Sequence, residues 1–296
     1  MPDFTRSRPA WSTQPIRPDR FGPVFAHIRN MSNGLPQTIA ILGAGNLGQA
    51  MAQGWLDRGE VPASQLILTR HRVGHLHPFA DRGVRVTDDN VQATRAANIL
   101  ILAVKPYKVQ EVIEEILPVL RDDHVLVSAA TGISIADMRT WANGKEAIFR
   151  AMPNTAVAIG ESLTCLAGDR GANGRLDQVE ELFNRVGRCV RITEDLMNAA
   201  TVLGACGIAY ALRFVRAMQQ GGIEIGFDSD TAALIANQTV RGAATILLEG
   251  SAHAEAEIDK VATPKGCTIA GLNEMEHQGF SSSLIKGILT SYGKIG

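Results

Sequence analysis

Between residues 38 and 150, short apolar runs alternate with segments whose apolar positions recur at helical spacing. The runs 38–42, 65–69, 84–86, 98–104 and 125–130 read as strands, and helical patterns fall near 47–58, 72–82, 88–96, 107–120 and 134–142. The run Ile99-Leu100-Ile101-Leu102-Ala103-Val104 has no polar alternation, which predicts a central parallel strand covered on both faces. Strand–helix alternation of this kind predicts an α/β fold: a Rossmann-type doubly wound parallel sheet with right-handed crossovers. Residues 149–167 add further strands, followed by a helix near 173–186 and a strand near 188–193. From 194 onward the pattern is almost entirely helical, with segments near 195–219, 228–249, 252–259, 268–278 and 281–292. The expected division is an extension at 1–34, a nucleotide-binding domain at 35–193 and an all-helical C-terminal dimerisation domain at 194–296.

The first half of the 195–219 helix is apolar nearly all round, so a small single domain has nothing to bury it against. That predicts an obligate homodimer. The longest uncharged run, 196–212, is shorter than the ~20 residues a bilayer span needs, and no membrane partner is expected. A net charge of -1 on 296 residues gives no electrostatic footprint for nucleic acid. Cys165, Cys189, Cys206 and Cys267 show no paired spacing, which fits a reduced, cytoplasmic protein. The first thirty residues carry five arginines and five prolines and no apolar stretch, so they read as an extension, with Met31 a candidate start.

Candidate chemistry begins at Gly43-Ala44-Gly45-Asn46-Leu47-Gly48, which follows an apolar strand and opens a helix. Gly43 allows the tight turn, Gly45 lets the backbone approach a pyrophosphate, and Gly48 lets helix and strand pack closely; Asn46 and Leu47 complete the loop. The second strand ends in Thr69-Arg70-His71-Arg72, where an NAD site usually places an acidic residue. Thr69, Arg70 and Arg72 suit a 2′-phosphate instead, so NADPH is expected over NADH, with NADH retained as a second donor. The competing use of this turn is a solvated basic surface. His71, His75 and His77 lack partner ligands and are expected at the surface; no metal is expected. Late in the chain, Thr263-Pro264-Lys265-Gly266-Cys267-Thr268 runs from a turn into a helix, exposing main-chain N–H donors to a small carboxylate.

Taken in order, the loop at 43–48, Ala103-Val104-Lys105-Pro106, Met152-Pro153-Asn154-Thr155 and the run from Ala232 to Gly271 resemble the pyrroline-5-carboxylate reductase family from Thr38 to the C-terminus. The resemblance implies reduction of 1-pyrroline-5-carboxylate to L-proline, the last step of proline biosynthesis. It places Asn90 at the adenosine ribose, Ala103, Val104, Lys105 and Pro106 beside the nicotinamide ribose, and Asn154 and Thr155 near the nicotinamide. It also places the imino acid on Thr263, Lys265, Gly266, Cys267 and Thr268, with the Thr268 hydroxyl at the ring nitrogen. Thr268 and Lys105 are the candidate catalytic residues, Lys105 chiefly by positioning the cofactor. The implied assembly is a homodimer that can build further, up to a decamer.

The chain departs from the family pattern at three places. It reads Leu203-Gly204-Ala205-Cys206-Gly207-Ile208-Ala209-Tyr210 where Ser-Gly-Ser-Gly-Pro-Ala-Tyr is usual, and Ala156 replaces a proline. Lys265 and Cys267 stand where glycine and threonine are common. A β-hydroxyacid dehydrogenase would need a lysine base on the long helix, and no lysine lies between Lys145 and Lys260. The remaining alternative is a non-catalytic or differently specific NADP-binding paralogue of the same fold.

Overall fold

A computed structural model describes residues 37–145, 147–168 and 174–295, so the extension expected at 1–34 lies outside the described residues. Eight strands form one sheet in the order β3-β2-β1-β4-β5-β6-β7-β8. They are β1 (Ile39–Leu42), β2 (Leu66–Thr69), β3 (Arg85–Thr87), β4 (Ile99–Leu102), β5 (Val125–Ser128), β6 (Ile148–Met152), β7 (Ser162–Ala167) and β8 (Gly187–Arg191). In β1, β2, β4 and β5 every residue is buried, as continuous apolar runs require when both sheet faces are covered. β1 pairs in parallel with both β2 and β4, with Leu42 opposite Leu102, so the strand order reverses beside β1. Such a reversal opens a crevice at the carboxyl ends of the strands.

The parallel expectation needs one correction. β6 pairs in parallel with β5, but β7 is antiparallel to β6 and β8 follows β7. The connection between β6 and β7 holds only a 3₁₀ turn, Thr155–Ile159, too short for the crossover a parallel pair needs.

The covering helices are α1 (Asn46–Asp57), α2 (His77–Ala80), α3 (Asn90–Arg95), α4 (Val109–Ile116), α5 (Ile135–Trp141) and α6 (Arg175–Asn184). The helix expected near 72–82 is only a 3₁₀ turn, Val73–Leu76, running into α2. Gly74 and Pro78 explain the loss of regular helix there. Elsewhere apolar spacing is realised: in α4, Val109, Val112, Ile113 and Ile116 are buried against Leu100, Leu126, Met138 and Ile148. Trp55 of α1 packs on Phe183 of α6 with ring centroids 5.8 Å apart, and its indole N–H donates to the Leu182 carbonyl at 3.0 Å. That pairing fixes α1 against the far end of the sheet.

From Glu194 the chain is helical: α7 (Met197–Ala200), α8 (Gly207–Glu224), α9 (Ser229–Glu249), α10 (Ala254–Val261), α11 (Cys267–His277) and α12 (Phe280–Tyr292). A wider π-turn, Thr201–Cys206, joins α7 to α8. The whole run Glu194–Glu224 is one 31-residue helical rod, long and apolar enough by length and composition to cross a membrane. The uncharged stretch 196–212 is therefore not the limit of the helix, because the rod continues through Arg213 and Arg216. In its most apolar window only 11% is buried within the chain. Leu203, Leu212, Leu234, Ile246, Leu248, Ile285 and Leu289 all stand exposed, while α8, α10, α11 and α12 bury no residue. The helices have no core of their own.

Candidate active site

The first part of the site is the turn between β1 and α1. Gly43 adopts φ +83°, and a Cβ there would penetrate the Val104 side chain at the end of β4. A Cβ on Gly48 would come within 3.0 Å of Ile41 and 3.5 Å of Ala103. A Cβ on Gly45 would meet nothing closer than the Gly43 carbonyl at 3.9 Å, so this glycine faces open space. α1 begins at Asn46 with no side-chain cap, leaving first-turn N–H groups for another acceptor. Open backbone at Gly45 and an uncapped twelve-residue helix fit a pyrophosphate.

Thr69 is tied into the glycine turn by its side chain. It is 1% exposed; its hydroxyl accepts from the Gly43 N–H at 3.1 Å and donates to Asn90 Oδ1 at 2.6 Å. Asn90 in turn donates to Glu115 of α4 at 2.8 Å. Thr69 and Asn90 therefore hold the glycine turn in shape. Arg70 lies alongside, with Nη1 3.5 Å from the Ala44 carbonyl, while Arg72 is fully in solvent. His71, His75 and His77 are exposed, and among the described residues no cluster of metal ligands occurs.

The second part lies across the crevice. The Ala103 N–H donates to the Leu42 carbonyl at 2.9 Å, so the end of β4 is level with the glycine turn. Lys105 and Pro106 follow in solvent, where Lys105 makes no side-chain hydrogen bond or ion pair among the described residues. Asn154 is 7% exposed and its side chain is committed on both sides: Oδ1 accepts from the Ala156 N–H at 3.0 Å and Nδ2 donates to the Gly204 carbonyl at 3.3 Å. Gly204 sits in the π-turn, whose altered spacing leaves carbonyls to be satisfied from outside. Thr155 is exposed beside it, held because the 155–159 turn packs directly on Gly54 of α1.

The third part is the loop before α11. The Gly266 N–H donates to the Thr263 carbonyl at 2.9 Å, closing a turn with Pro264 second and Lys265 third. Lys265 has φ 57°, the left-handed conformation of a type II turn. Gly266 caps α11 with no side chain, so the first amides of an eleven-residue helix, including those of Cys267 and Thr268, point outward. Residues 263–268 make no hydrogen bond or ion pair to the sheet half among the described residues. One chain ties the glycine turn to the ends of β2 and β4, and among the described residues no hydrogen bond or ion pair joins the 263–268 loop to them.

Two residues that no motif indicated also bear on the site. Glu115 anchors Asn90, and Glu194 bonds both α5 and β6. Their signal is spatial: the partners are 25, 59 and 44 residues away in sequence.

A sheet that reverses its order at a glycine turn, with basic residues at the end of its second strand and a helical second half, defines a Rossmann-type NADP-dependent oxidoreductase. Residues 38–132 match the family model described as NADP oxidoreductase coenzyme F420-dependent, and 194–295 match pyrroline-5-carboxylate reductase dimerisation. Pyrroline-5-carboxylate reductase 2 of Dictyostelium discoideum is 39% identical over 274 residues, covering 87% of this chain and 92% of the relative. Pyrroline-5-carboxylate reductase 1 of the same organism is 41% identical over 268 residues, covering 86% of this chain but 49% of the relative, so this chain spans about half of that protein. Among solved structures, a pyrroline-5-carboxylate reductase from Coxiella burnetii superposes with a TM-score of 0.78 at 26% identity, covering 88% and 98% of the two chains. The pyrroline carboxylate reductase of Plasmodium falciparum, solved with NADP bound, shares the fold with a TM-score of 0.78 at 23% identity, covering 88% and 97%. The chain belongs to the pyrroline-5-carboxylate reductase family.

Proposed function

We propose that this protein reduces 1-pyrroline-5-carboxylate to L-proline with NADPH, as the last step of proline biosynthesis in the cytoplasm. The carrying observation is the crevice at the strand-order reversal, open at Gly45 and flanked by Arg70, in a chain that matches the reductases nearly end to end. The nucleotide domain is 35–193 and the helical domain 194–296. When bound, NADPH supplies the hydride and becomes NADP⁺.

What the chain does is hold and orient. First-turn amides of α1 bind the pyrophosphate, Arg70 and Arg72 take the 2′-phosphate, and Ala103 to Pro106 and Thr155 border the nicotinamide end. Asn90, Thr69 and Asn154 act through hydrogen bonds that shape this border. Main-chain amides at Gly266, Cys267 and Thr268, with the Lys265 ammonium nearby, receive the substrate carboxylate. Thr268 places its hydroxyl at the ring nitrogen.

In its protonated form the substrate imine is already a strong electrophile. A C–H bond forms at ring C5 while the C=N π pair returns to nitrogen as a lone pair, which takes a proton from solvent to give the secondary ammonium. No strong acid is required, which suits a site where the lysine at the nicotinamide end, Lys105, is solvated. Positioning of this sort supplies on the order of 7–11 kcal/mol.

Because the long helices stand bare within one chain, the working unit is a homodimer in which α8 and α9 interleave, with further assembly up to a decamer. Absorbance at 340 nm with a panel of five- and six-membered cyclic imino acids tests the reading. NADPH oxidation fastest with pyrroline-5-carboxylate is expected; nucleotide binding without oxidation of any imine would identify a non-catalytic paralogue instead.

A further inference from the structure

Glu194 opens the helical half, yet its carboxylate reaches back to two elements of the sheet half. One oxygen, Oε1, accepts from the Ile135 N–H at 2.7 Å and from Arg150 Nη1 at 3.3 Å. Ile135 begins α5 directly after the 129–134 loop, and that loop leaves β5 beside β4, where the Ala129 N–H donates to the Leu102 carbonyl at 2.9 Å. Arg150 lies on β6, four residues before Asn154, whose amide holds Gly204 in the π-turn. The two contacts, Glu194 to the sheet half and Asn154 to the helical half, clamp the start of the helical rod at Glu194 and again at Gly204.

The clamp is electrically unusual. Arg150 is 5% exposed, and among the described residues its Nε and Nη2 have no hydrogen-bond partner and Glu194 is its one ion-pair partner. Burial pushes the guanidinium pKa down and Glu194 opposes that shift. Arg150 is buried while the Glu194 side chain keeps 35% of its surface in solvent, and a pair of this kind contributes little net stability. What the pair supplies is direction, because a carboxylate oxygen shared between an amide and a guanidinium admits one orientation of the rod.

We propose that Glu194 is a positioning residue for hydride transfer: it sets the angle between helical and nucleotide halves, and so the approach of the substrate loop to the nicotinamide. The proposal rests on the reductase reading. In full-length Glu194→Ala, kcat should fall on the order of tenfold or more, the size of loss expected when reacting atoms are slightly misplaced. NADPH affinity and sedimentation should stay within about twofold, and the primary isotope effect with 4-deuterated NADPH should rise as the chemical step slows. Glu194→Gln keeps an acceptor for the Ile135 N–H and should lose only about threefold in kcat.

Deuterium exchange reads the clamp without turnover. Amides at 131–136 and 199–206 should exchange faster together in the alanine variant, while 46–57 remain protected. Unchanged kcat in both variants, a parallel loss of NADPH affinity, or dissociation of the dimer would overturn the proposal. If the wild-type protein does not oxidise NADPH with the imine, the reductase reading fails by itself. The exchange result then decides the clamp: joint loss of protection supports it and unchanged exchange overturns it.

Discussion

Lys265→Gly should make the protein more stable and the enzyme worse. Lys265 holds φ 57° at the third position of the turn closed by Gly266 and Thr263, where a type II turn favours glycine. The left-handed region costs a residue with a Cβ about 1–2 kcal/mol. Glycine escapes that strain but loses about 0.5–1 kcal/mol more backbone entropy on folding. The net gain is about 0.5–1 kcal/mol, or roughly a 1–4 °C rise in melting temperature for a domain of this size. Lys265→Ala retains the Cβ and the strain, so its melting temperature should match wild type. The ammonium is exposed beside the proposed carboxylate site, and losing it should raise the KM for pyrroline-5-carboxylate about two- to fivefold in both variants. The KM for NADPH should not move. Differential scanning fluorimetry and initial rates measure both effects on the same samples. A glycine variant that melts at or below wild type would refute the strain argument, and an unchanged KM in both variants would remove Lys265 from the substrate site.

Arg70→Ala should weaken NADPH about tenfold while NADH changes less than twofold, since a charge-assisted bond to the 2′-phosphate is lost only for the former; equal losses measured by fluorescence titration would reassign Arg70 to the glycine turn. Thr268→Ala should lower kcat with the imine and leave NADPH affinity intact, whereas an equal loss of both would make the loop structural. His124 is fully buried, and burial together with the Arg121 charge lowers its pKa from 6.5 to about 4. The unfolded chain therefore takes up a proton below pH 6.5 that the folded chain refuses until about pH 4. Stability is present above pH 6.5 and falls through that window by on the order of 1.4 kcal/mol per pH unit. Urea unfolding of wild type and His124→Gln at pH 5 and pH 7 checks this, and parallel pH slopes in the two proteins would exclude His124 as the cause.

The alternation of strands and helices and the glycine turn between the first strand and the first helix were legible in the chain; the strand order that reverses beside β1 was not. Apolar runs with no alternation force strands that are covered on both faces, and only glycine fits where Val104 crowds Gly43. Local periodicity failed at 72–82, where Gly74 and Pro78 break an otherwise helical pattern, and at β7, where strand direction depends on the length and path of a connection. The tertiary structure alone decided what Thr69, Asn90 and Asn154 do. The sequence expects each at the cofactor, and the structure adds a long-range hydrogen bond for each: Thr69 to Gly43, Asn90 to Glu115 and Asn154 to Gly204.

By itself, then, the sequence determined most of what rests on short-range rules: which segments are strands or helices, that a glycine turn opens onto a bare helix start, and that the last hundred residues carry more apolar surface than one chain covers. Only the folded structure decided which distant residues share a proton donor or a charge, such as Glu194 with Ile135 and Arg150, and that Lys265 sits in a strained backbone. The reason is range. Periodicity, capping and glycine geometry act within a few residues, whereas hydrogen bonds across 25 to 60 positions exist only after the sheet has set its register.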